Sequence, residues 1–413
     1  MSSWKEYRFG ELVNFPPRIG LRKGDEYPFI DMDVVNPNNR YVENIQRKKY
    51  ESSSCSKFAN GDVLLARITP CLENGKIAQV RTTDCENGFG STEFFVFRAK
   101  ESLLEQSFLF YLAKSDLVWK SAVNSMVGAS GRQRADATFL KKVELRIPEL
   151  PVQRKIAAVL TTYDKLIENN QRRIALLEKI AEEIYREWFV RLRFPGYEKV
   201  KFVKGVPQGW EARTLSSFAS EIKKGVKKKN LSDDEKYIGL EHIPRRSISI
   251  KEWAAADSVD SDKLLFQEGD ILFCKIRPYL HKVALSHVAG ACSSDTIVIR
   301  PKSKIYEGYL LFTVFSDTFI ELATIASKGT KMPRADWGFL KKLELAVPNT
   351  QLLETYQAQF DTLFSQIVNL LKANEALVTS RDLLFPRLIS GKLSVEHLDI
   401  QFPPGMEESG HDI

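Results

Sequence analysis

Cysteine and histidine are scarce in this sequence, with five of each among 413 residues. No two cysteines have the short spacing of a zinc knuckle. An odd and scattered set also argues against a disulfide framework. We therefore expect reduced thiols in a cytosolic protein, and no metal site. The cysteines are Cys55, Cys71, Cys85, Cys274 and Cys292.

Long hydrophobic runs are missing as well. The wholly aliphatic or aromatic runs, such as FFVF at residues 94–97, are far too short to cross a bilayer. The amino terminus, MSSWKE, lacks the basic-then-apolar pattern of a signal peptide. These absences predict a cytoplasmic protein with no membrane partner.

Recognisable catalytic motifs are also absent. The Gly-Lys pairs at 75–76 and 391–392 are followed by Ile and Leu, so neither forms a phosphate-binding loop. Residues 14–17 (NFPP) contain the letters of an amino-methyltransferase loop in the wrong order, and no Gly-x-Ser-x-Gly stretch occurs. An enzyme that acted without partner subunits would need a catalytic loop of one of these kinds. We therefore expect a binding protein with no catalytic residues and no cofactor of its own.

The chain contains an internal duplication, which is its strongest signal. FLKKVEL at residues 139–145 returns as FLKKLEL at 339–345, and GDVL at 61–64 returns as GDIL at 269–272. Several segments recur in the same order, so chance is a poor explanation. The chain is too long for one core. The repeat of about 200 residues therefore predicts two similar globules, each of mixed α/β texture.

A long helical segment follows each globule. Residues 152–194 contain neither Gly nor Pro, and apolar positions recur there with a heptad period that the second copy repeats. Five heptads in register favour coiled-coil helices over generic bundle helices, which are the alternative. The first row contains Ile156, Tyr163, Asn170, Leu177 and Ile184, and its counterpart contains Tyr356, Leu363, Leu370, Leu377 and Leu384.

The polar exceptions in these rows predict how the two helices pair. An antiparallel arrangement in which paired residue numbers sum to about 544 places Asn170 opposite Asn374, so that two seam amides satisfy each other. It also places Arg381 opposite Tyr163, in a position suited to a cation–π contact. The remaining predicted pairs include Ile167 with Leu377 and Trp188 with Tyr356. An antiparallel pair joining two similar globules would have an internal pseudo-twofold axis.

Basic residues cluster in loops at matching places of the two copies. Sixty Lys and Arg against 53 Asp and Glu give a net charge of +7, which permits a polyanionic partner without requiring one. A single lysine run is usually a solvated loop, but three recurring basic loops with Gly, Ser and Gln suit phosphate contacts and base-edge readout. The predicted DNA-binding residues are Arg18, Arg22, Lys23, Arg67, Thr69, Ser130, Arg132, Gln133 and Arg134 in the first copy. In the second copy they are Lys224, Lys227, Lys228, Lys275, Arg277, Lys328, Thr330, Lys331 and Arg334.

Taken together, these features resemble the specificity subunit of a type I restriction-modification enzyme. The resemblance covers nearly the whole chain and includes the two globules, the GDVL/GDIL segments, the FLKK motifs and the helix after each. PQGW at 207–210 and LFPRLISGKL at 384–393 are also similar to the family. As a departure, the second copy lacks the Pro-to-Gln opening that residues 148–153 give the first.

The resemblance implies a non-catalytic subunit in which each globule reads one half of a bipartite site in double-stranded DNA. The helix pair would set the spacer and dock two methyltransferase subunits, which would bind S-adenosylmethionine and methylate adenine N6 after base flipping. Two restriction subunits, using ATP and Mg, could complete a nuclease. A protein-binding scaffold and the specificity module of a related DNA-modification system are the alternatives.

The expected fold class is α+β, with two tandem recognition globules and two long helices. The expected boundaries are 1–150 for the first globule, 151–194 for the central helix, 195–348 for the second globule and 349–393 for the distal helix. Residues 394–413 are expected to form a disordered tail.

Overall fold

The computed structural model describes residues 4–43, 45–51, 54–82, 86–129, 131–203, 205–256, 259, 261–329, 331–404 and 406. The chain forms two compact units: Met1–Asn169 with Asn374–Ile413, and Asn170–Ala373. Each unit combines one globule with parts of both long helices, so the units do not follow the expected boundaries. Across the described residues, no single helix has the length and apolar composition to cross a membrane. One bent pair, Lys304–Phe315 with Asp317–Ile325, has that length and composition only when the two helices are taken together.

Within its described residues, the first globule contains ten strands and four short α-helices. In chain order they are β1 (Lys5–Arg8), α1 (Phe9–Leu12), β2 (Val13–Asn14), β3 (Glu26–Ile30), β4 (Gln46–Lys49), β5 (Ser56–Phe58), β6 (Val63–Ala66), β7 (Ile77–Gln79), β8 (Gly88–Gly90), β9 (Phe94–Ala99), α2 (Gln106–Lys114), α3 (Asp116–Asn124), α4 (Ala137–Lys141) and β10 (Glu144–Ile147). Two four-stranded sheets, in the orders β2-β9-β6-β7 and β4-β3-β8-β5, carry the core, and β1 pairs with β10. Of the pairings between these described strands, β3 with β8 is parallel and the others are antiparallel.

The GDVL segment owes its sequence to a buried turn that leads into β6. Gly61 has a φ of +88°, a left-handed conformation that favours glycine over residues with a Cβ. The Asp62 carboxylate is buried, accepts a hydrogen bond from the backbone N–H of Ala59 at 2.8 Å, and binds two nitrogens of Arg98 at 2.7 and 2.9 Å. The buried carboxylate therefore has both an ion-pair partner and hydrogen bonds, which a buried charge needs to be tolerated.

The second unit repeats this topology. Its elements are β11 (Phe202–Val203), β12 (Val206–Pro207), β13 (Glu211–Thr214), α6 (Leu215–Phe218), β14 (Ala219–Ile222), β15 (Gly225–Val226), β16 (Lys236–Ile238), β17 (Ala254–Ala255), β18 (Lys263–Phe266), β19 (Ile271–Cys274), β20 (Val283–Leu285), β21 (Gly290–Cys292), β22 (Thr296–Pro301), α7 (Glu307–Phe315), α8 (Asp317–Ile325), α9 (Trp337–Leu340) and β23 (Glu344–Val347). Its sheets have the orders β14-β22-β19-β20 and β15-β18-β21-β16-β17, again with one parallel pairing, β16 with β21. Asp270 of the GDIL segment binds Arg300 at 2.6 and 2.7 Å, as Asp62 binds Arg98.

The long helices are α5 (Leu150–Tyr185), continued by a π-helical turn at Arg186–Val190, and α10 (Thr350–Ile389). In the first unit, the start of α5 and the end of α10 pack against the globule through an apolar face that includes Ile156, Leu160 and Leu388. This packing explains why each globule forms one unit with parts of both helices.

In the second unit the two long helices pack antiparallel, because the partners on α10 have lower numbers as the residue numbers along α5 rise. Ile174 on α5 packs with Ile367 and Leu370 on α10. Trp188 lies against Tyr356, with ring centroids 5.7 Å apart, which is a pair that the sum of 544 specifies. The expected α+β class, with two similar globules each followed by a long helix, is confirmed.

The segment after α10 differs from expectation. Val395 is buried in the core of the first unit, and the backbone oxygens of Glu396 and Leu398 accept hydrogen bonds from Lys155 Nζ at 2.7 and 2.8 Å. Lys165 donates to the Pro404 oxygen. The prediction of disorder was therefore wrong for residues 394–404, because apolar residues in this segment complete the core. Residues 405 and 407–413 lie outside the described chain.

Candidate nucleic-acid interface

An ion-pair cluster of three residues joins two of the predicted basic loops in the first unit. Glu93, the residue before β9, pairs with Arg67 and Arg134, and we call these residues the first triad. Arg134 donates from Nε to Oε2 at 3.0 Å and from Nη2 to Oε1 at 2.7 Å. Arg67 Nε lies 3.4 Å from Oε2, an ionic contact without hydrogen-bond geometry. The hydrogen bonds from Arg134, together with the charges of both arginines, lower the pKa of the Glu93 carboxyl from its ordinary value.

Backbone hydrogen bonds fix the loops that carry the first triad. The Arg67 N–H donates to the Glu93 oxygen at 2.9 Å, and the Ala135 N–H donates to the Arg67 oxygen at 2.8 Å. Val127 and Arg134 exchange two hydrogen bonds, both at 3.0 Å. The three side chains therefore converge because backbone hydrogen bonds join the start of β9 to the two loops that carry the arginines.

The second unit has an equivalent cluster, the second triad, formed by Lys275, Asp295 and Arg334. Lys275 Nζ and Arg334 Nε each lie 3.3 Å from Asp295 Oδ1. The backbone repeats the bonds of the first unit: the Lys275 N–H donates to the Asp295 oxygen at 3.0 Å, and the Ala335 N–H donates to the Lys275 oxygen at 2.8 Å. Arg334 and Lys328 exchange two hydrogen bonds at 2.9 and 3.0 Å.

The second triad borders a concavity of about 420 Å³ on the second unit. Its charged lining is mainly basic and consists of Glu221, Lys223, Lys275, Lys328, Arg334 and Lys341, with Asp336. Lys328 Nζ lies 2.7 Å from Asp336 Oδ2. This contact, followed by a backbone hydrogen bond from Gly338, lowers the pKa of Asp336. Lys223 and Lys341 were not among the predicted residues.

An aspartate before each FLKK motif caps a short helix that lies next to the basic surface. Asp136 caps α4 by accepting from the Thr138 N–H at 2.6 Å, and Asp336 caps α9 by accepting from the Gly338 N–H at 2.8 Å. A carboxylate at a helix N-cap satisfies amide groups that have no partner within the helix. Leu140 is fully buried. The repeated acid therefore positions the short helix beside each triad.

Other predicted residues lie outside the two triads. Arg18, Arg22 and Lys23 are exposed in the loop between β2 and β3, and Lys224, Lys227 and Lys228 are exposed around β15. Arg132, Gln133 and Lys331 lie in the loops before α4 and α9, where Arg132 and Lys331 are exposed and Gln133 is half-buried. Ser130 and Thr330 fall outside the described residues.

Thr69 and Arg277 occupy matching positions but have different environments. The Thr69 hydroxyl is shielded from solvent without a partner in the described chain, so its hydroxyl does not reach a ligand in this conformation. Arg277 is exposed, and both it and His281 have left-handed backbone, with φ of +50° and +52°. Such strain in a residue with a side chain marks a turn held by its surroundings. That turn presents Tyr279, which is 54% exposed.

Comparison of the chain with known proteins identifies its family. The model of the type I restriction modification DNA specificity domain matches residues 1–179 and 207–377. The chain belongs to this family. It is 25% identical over 400 residues to the type I restriction enzyme MjaIX specificity subunit of Methanocaldococcus jannaschii, covering 91% of this chain and 88% of the relative. It is 22% identical over 467 residues to the HindI specificity subunit of Haemophilus influenzae, covering 95% and 100%.

A solved structure supports the fold of this specificity-family chain. The type I restriction-modification system S subunit from M. genitalium superposes with a TM-score of 0.53 and 15% sequence identity, covering 94% of this chain and 96% of that one. At this level of identity the likeness concerns the fold alone.

Sequence reasoning missed the acids of both triads. GSTEFFVFR at residues 90–98 and CSSDTIVIR at 292–300 are a further repeated segment, with a serine, an acid and an arginine at matching places. The serine forms the same turn in both units: Ser91 Oγ accepts from the Glu93 N–H at 3.3 Å, and Ser293 Oγ accepts from the Asp295 N–H at 3.2 Å. This repeated pattern was the available signal, but an acid is not expected in a DNA-binding surface.

The helix-pairing residues have mixed outcomes. Arg381 does not contact the Tyr163 ring as expected; its Nη1 lies 2.8 Å from the Asp164 carboxylate instead. Ile167 is buried and Leu377 half-buried in the first unit. Asn170 and Asn374 are the residues at which the two units divide. Their contact with each other stays a prediction.

Proposed function

We propose that this chain is the DNA-recognition subunit of a type I restriction-modification complex, in which each unit reads one half of a bipartite target. The observation that carries the proposal is the pair of equivalent triads, each at the meeting point of two basic loops. A duplicated fold with the same basic surface in each copy suits a target with two parts. The family supports DNA as the partner.

The residues of the triad loops have the chemistry that duplex DNA requires. Arginine and lysine bind phosphate oxygens and also the O6 and N7 acceptors of guanine, while glutamine can pair with adenine. Arg132, Gln133 and Arg134 supply these groups in the first unit, and Lys328, Lys331 and Arg334 supply charge in the second. We assign base reading to the triad loops and general phosphate attachment to the exposed lysines around β15.

The long helices would set the spacer between half-sites and dock two methyltransferase subunits. A 36-residue helix such as α5 is roughly 54 Å long at 1.5 Å per residue, more than one turn of DNA. S-adenosylmethionine would be held by the partner subunits, which would methylate adenine N6 in each half-site. Restriction subunits using ATP and Mg would add cleavage. This chain would position the DNA and perform no reaction itself.

Salt dependence of DNA binding tests this proposal. The chain assembled with its methyltransferase subunits is titrated with fluorescent duplex DNA at several salt concentrations. If each unit makes several phosphate contacts, the logarithm of affinity should fall linearly with the logarithm of salt concentration, with a slope of about −0.9 per contact. A complex that binds no DNA at low salt would contradict the proposal and favour a protein-binding scaffold.

A further inference from the structure

A carboxylate stands at the centre of each predicted DNA-contacting cluster. Glu93 and Asp295 each face two basic side chains, so each cancels part of the positive charge that would attract phosphate. For simple attachment to the DNA backbone such an acid is unfavourable, because like charges repel across a few ångströms. Its presence at the same place in both units calls for another role.

The position of each acid is fixed by its backbone. The serine two residues earlier accepts from its N–H, and its own carbonyl accepts from the basic residue after β6 or β19. Its side chain is largely shielded, with 20% of Glu93 and 29% of Asp295 exposed. A carboxylate with so little freedom can hold a flexible basic side chain in one orientation.

The geometry at Arg134 leaves part of its guanidinium available. Of the five N–H donors of Arg134, Glu93 engages the one on Nε and one of the two on Nη2. The three remaining N–H donors, two on Nη1 and one on Nη2, include the Nη1/Nη2 fork that matches guanine O6 and N7. Fixing one edge in advance removes much of the side-chain entropy that binding would otherwise cost.

We propose that Glu93 and Asp295 are positioning residues for sequence readout: each holds its basic partners for base edges and weakens their attachment to phosphate. The inference rests on the proposed function, since it concerns how a unit discriminates among DNA sequences. It assigns specificity to two acidic residues that lie within basic surfaces. Removing either charge should make its unit bind DNA less selectively, without a comparable loss of general affinity.

The test uses the isosteric variants Glu93→Gln and Asp295→Asn in the complex with methyltransferase subunits. Competition binding compares the target duplex with duplexes carrying one substitution in either half-site, after the target has been identified by methylation mapping. For Glu93→Gln, discrimination at the half-site of the first unit should fall about tenfold, within the range expected for one bidentate base contact. Discrimination at the other half-site should be unchanged. Asp295→Asn should give the mirror result.

General affinity provides a second readout, which a merely structural role would not change in this direction. Affinity for unrelated duplex DNA should stay equal or rise in both variants. The slope of affinity against salt concentration should steepen by up to about one, because the released basic side chain can then contact a phosphate. Glu86→Gln is the matched control, because Glu86 also pairs with an arginine, Arg47, on the first unit. It should leave both discrimination ratios unchanged.

The outcomes separate the inference from the function beneath it. If wild-type complex shows no sequence discrimination at all, the proposed function fails. If wild type discriminates and Glu93→Gln discriminates equally well at both half-sites, the positioning role is wrong while the function stands. Equal losses at both half-sites would also contradict it, because the acid would then act through general folding.

Discussion

Arg381 on α10 donates a hydrogen bond from Nη1 to the Asp164 carboxylate on α5 at 2.8 Å, and both side chains are about nine-tenths buried. Asp164 also accepts from the Tyr111 hydroxyl. Tyr111 in turn accepts from Arg40 Nη1 at 3.1 Å, and Arg40 Nε donates to Gln79 at 2.8 Å. A buried polar network thus connects the globule of the first unit to its helix pair.

The second unit is apolar where the first is charged. The Gln79 N–H donates to the Arg40 oxygen at 2.8 Å, and at the matching place the Leu285 N–H donates to the Ile248 oxygen at 2.9 Å. Ser115 and Ser316 are the N-cap residues of the matching helices α3 and α8, which aligns Tyr111 with Phe312. The same fold therefore forms with apolar residues at these places, so the network is not required by the topology. Such a network can specify which helix segments pack on which globule.

Arg381→Leu should strongly destabilise the first unit, because it leaves the Asp164 charge buried without its main partner. The expected loss in free energy of unfolding is about 3–5 kcal/mol. The double variant Asp164→Leu/Arg381→Leu should lose less than the sum of the two single variants, since the residues share one interaction. Chemical unfolding of the four proteins measures this coupling. Strictly additive losses would show that the ion pair contributes no coupling.

Gln357 should act as a buried cap for α7. Its Oε1 accepts from the Gly308 N–H at 2.9 Å, as Gln153 Oε1 accepts from the Glu105 N–H at 2.9 Å beside α2. Gln357→Ala should lower the free energy of unfolding by about 1–3 kcal/mol, because a buried amide loses its partner. Gln359→Ala, an exposed change on the same helix, is the control and should stay within about 0.5 kcal/mol of wild type. Equal effects of both changes would argue against a capping role.

The glutamines also show why the second copy departs from the family opening. Gln153 is the fourth residue of α5 and Gln357 the eighth of α10, so the same function is served one helical turn later. A fixed spacing from the proline therefore fails to identify it. The repeats and heptads predicted the two globules, the helices and the contact of Trp188 with Tyr356. They could not predict contacts that depend on several segments folding together, such as Arg381 with Asp164 or the acid of each triad.

Thiol reactivity should divide the cysteines by burial. Burial raises the pKa of the Cys292 thiol to about 12 and also raises that of Cys274, whereas Cys55 and Cys71 are half-exposed. In a Cys85→Ser background at pH 8, maleimide should label Cys55 and Cys71 in the folded protein, because the thiolate is the reactive species. Cys274 and Cys292 should react only after unfolding. Mass spectrometry of labelled peptides measures this, and rapid labelling of Cys292 in the folded protein would contradict it.

The same shift gives stability a pH dependence on the alkaline side. A folded-state pKa raised above the unfolded value of about 8.5 stabilises the fold fully below that pH. The contribution of Cys292 should therefore be lost as the pH rises from about 8.5 towards 12. Cys292→Ala should reduce the slope of stability against pH between about 8.5 and 10, compared with wild type. An unchanged slope would show that Cys292 does not titrate in this window.

Adenine-methylation mapping tests most directly the central claim that each unit reads its own half-site. The chain is expressed with its methyltransferase subunits in a host that lacks other adenine methylation. Wild type, Arg132→Ala/Arg134→Ala and Lys331→Ala/Arg334→Ala are compared by sequencing the modified genome. Wild type should give one two-part motif with a fixed unread gap, and each variant should relax or lose preference in a different half only. A contiguous motif, or equal damage to both halves in each variant, would contradict independent reading by the two units.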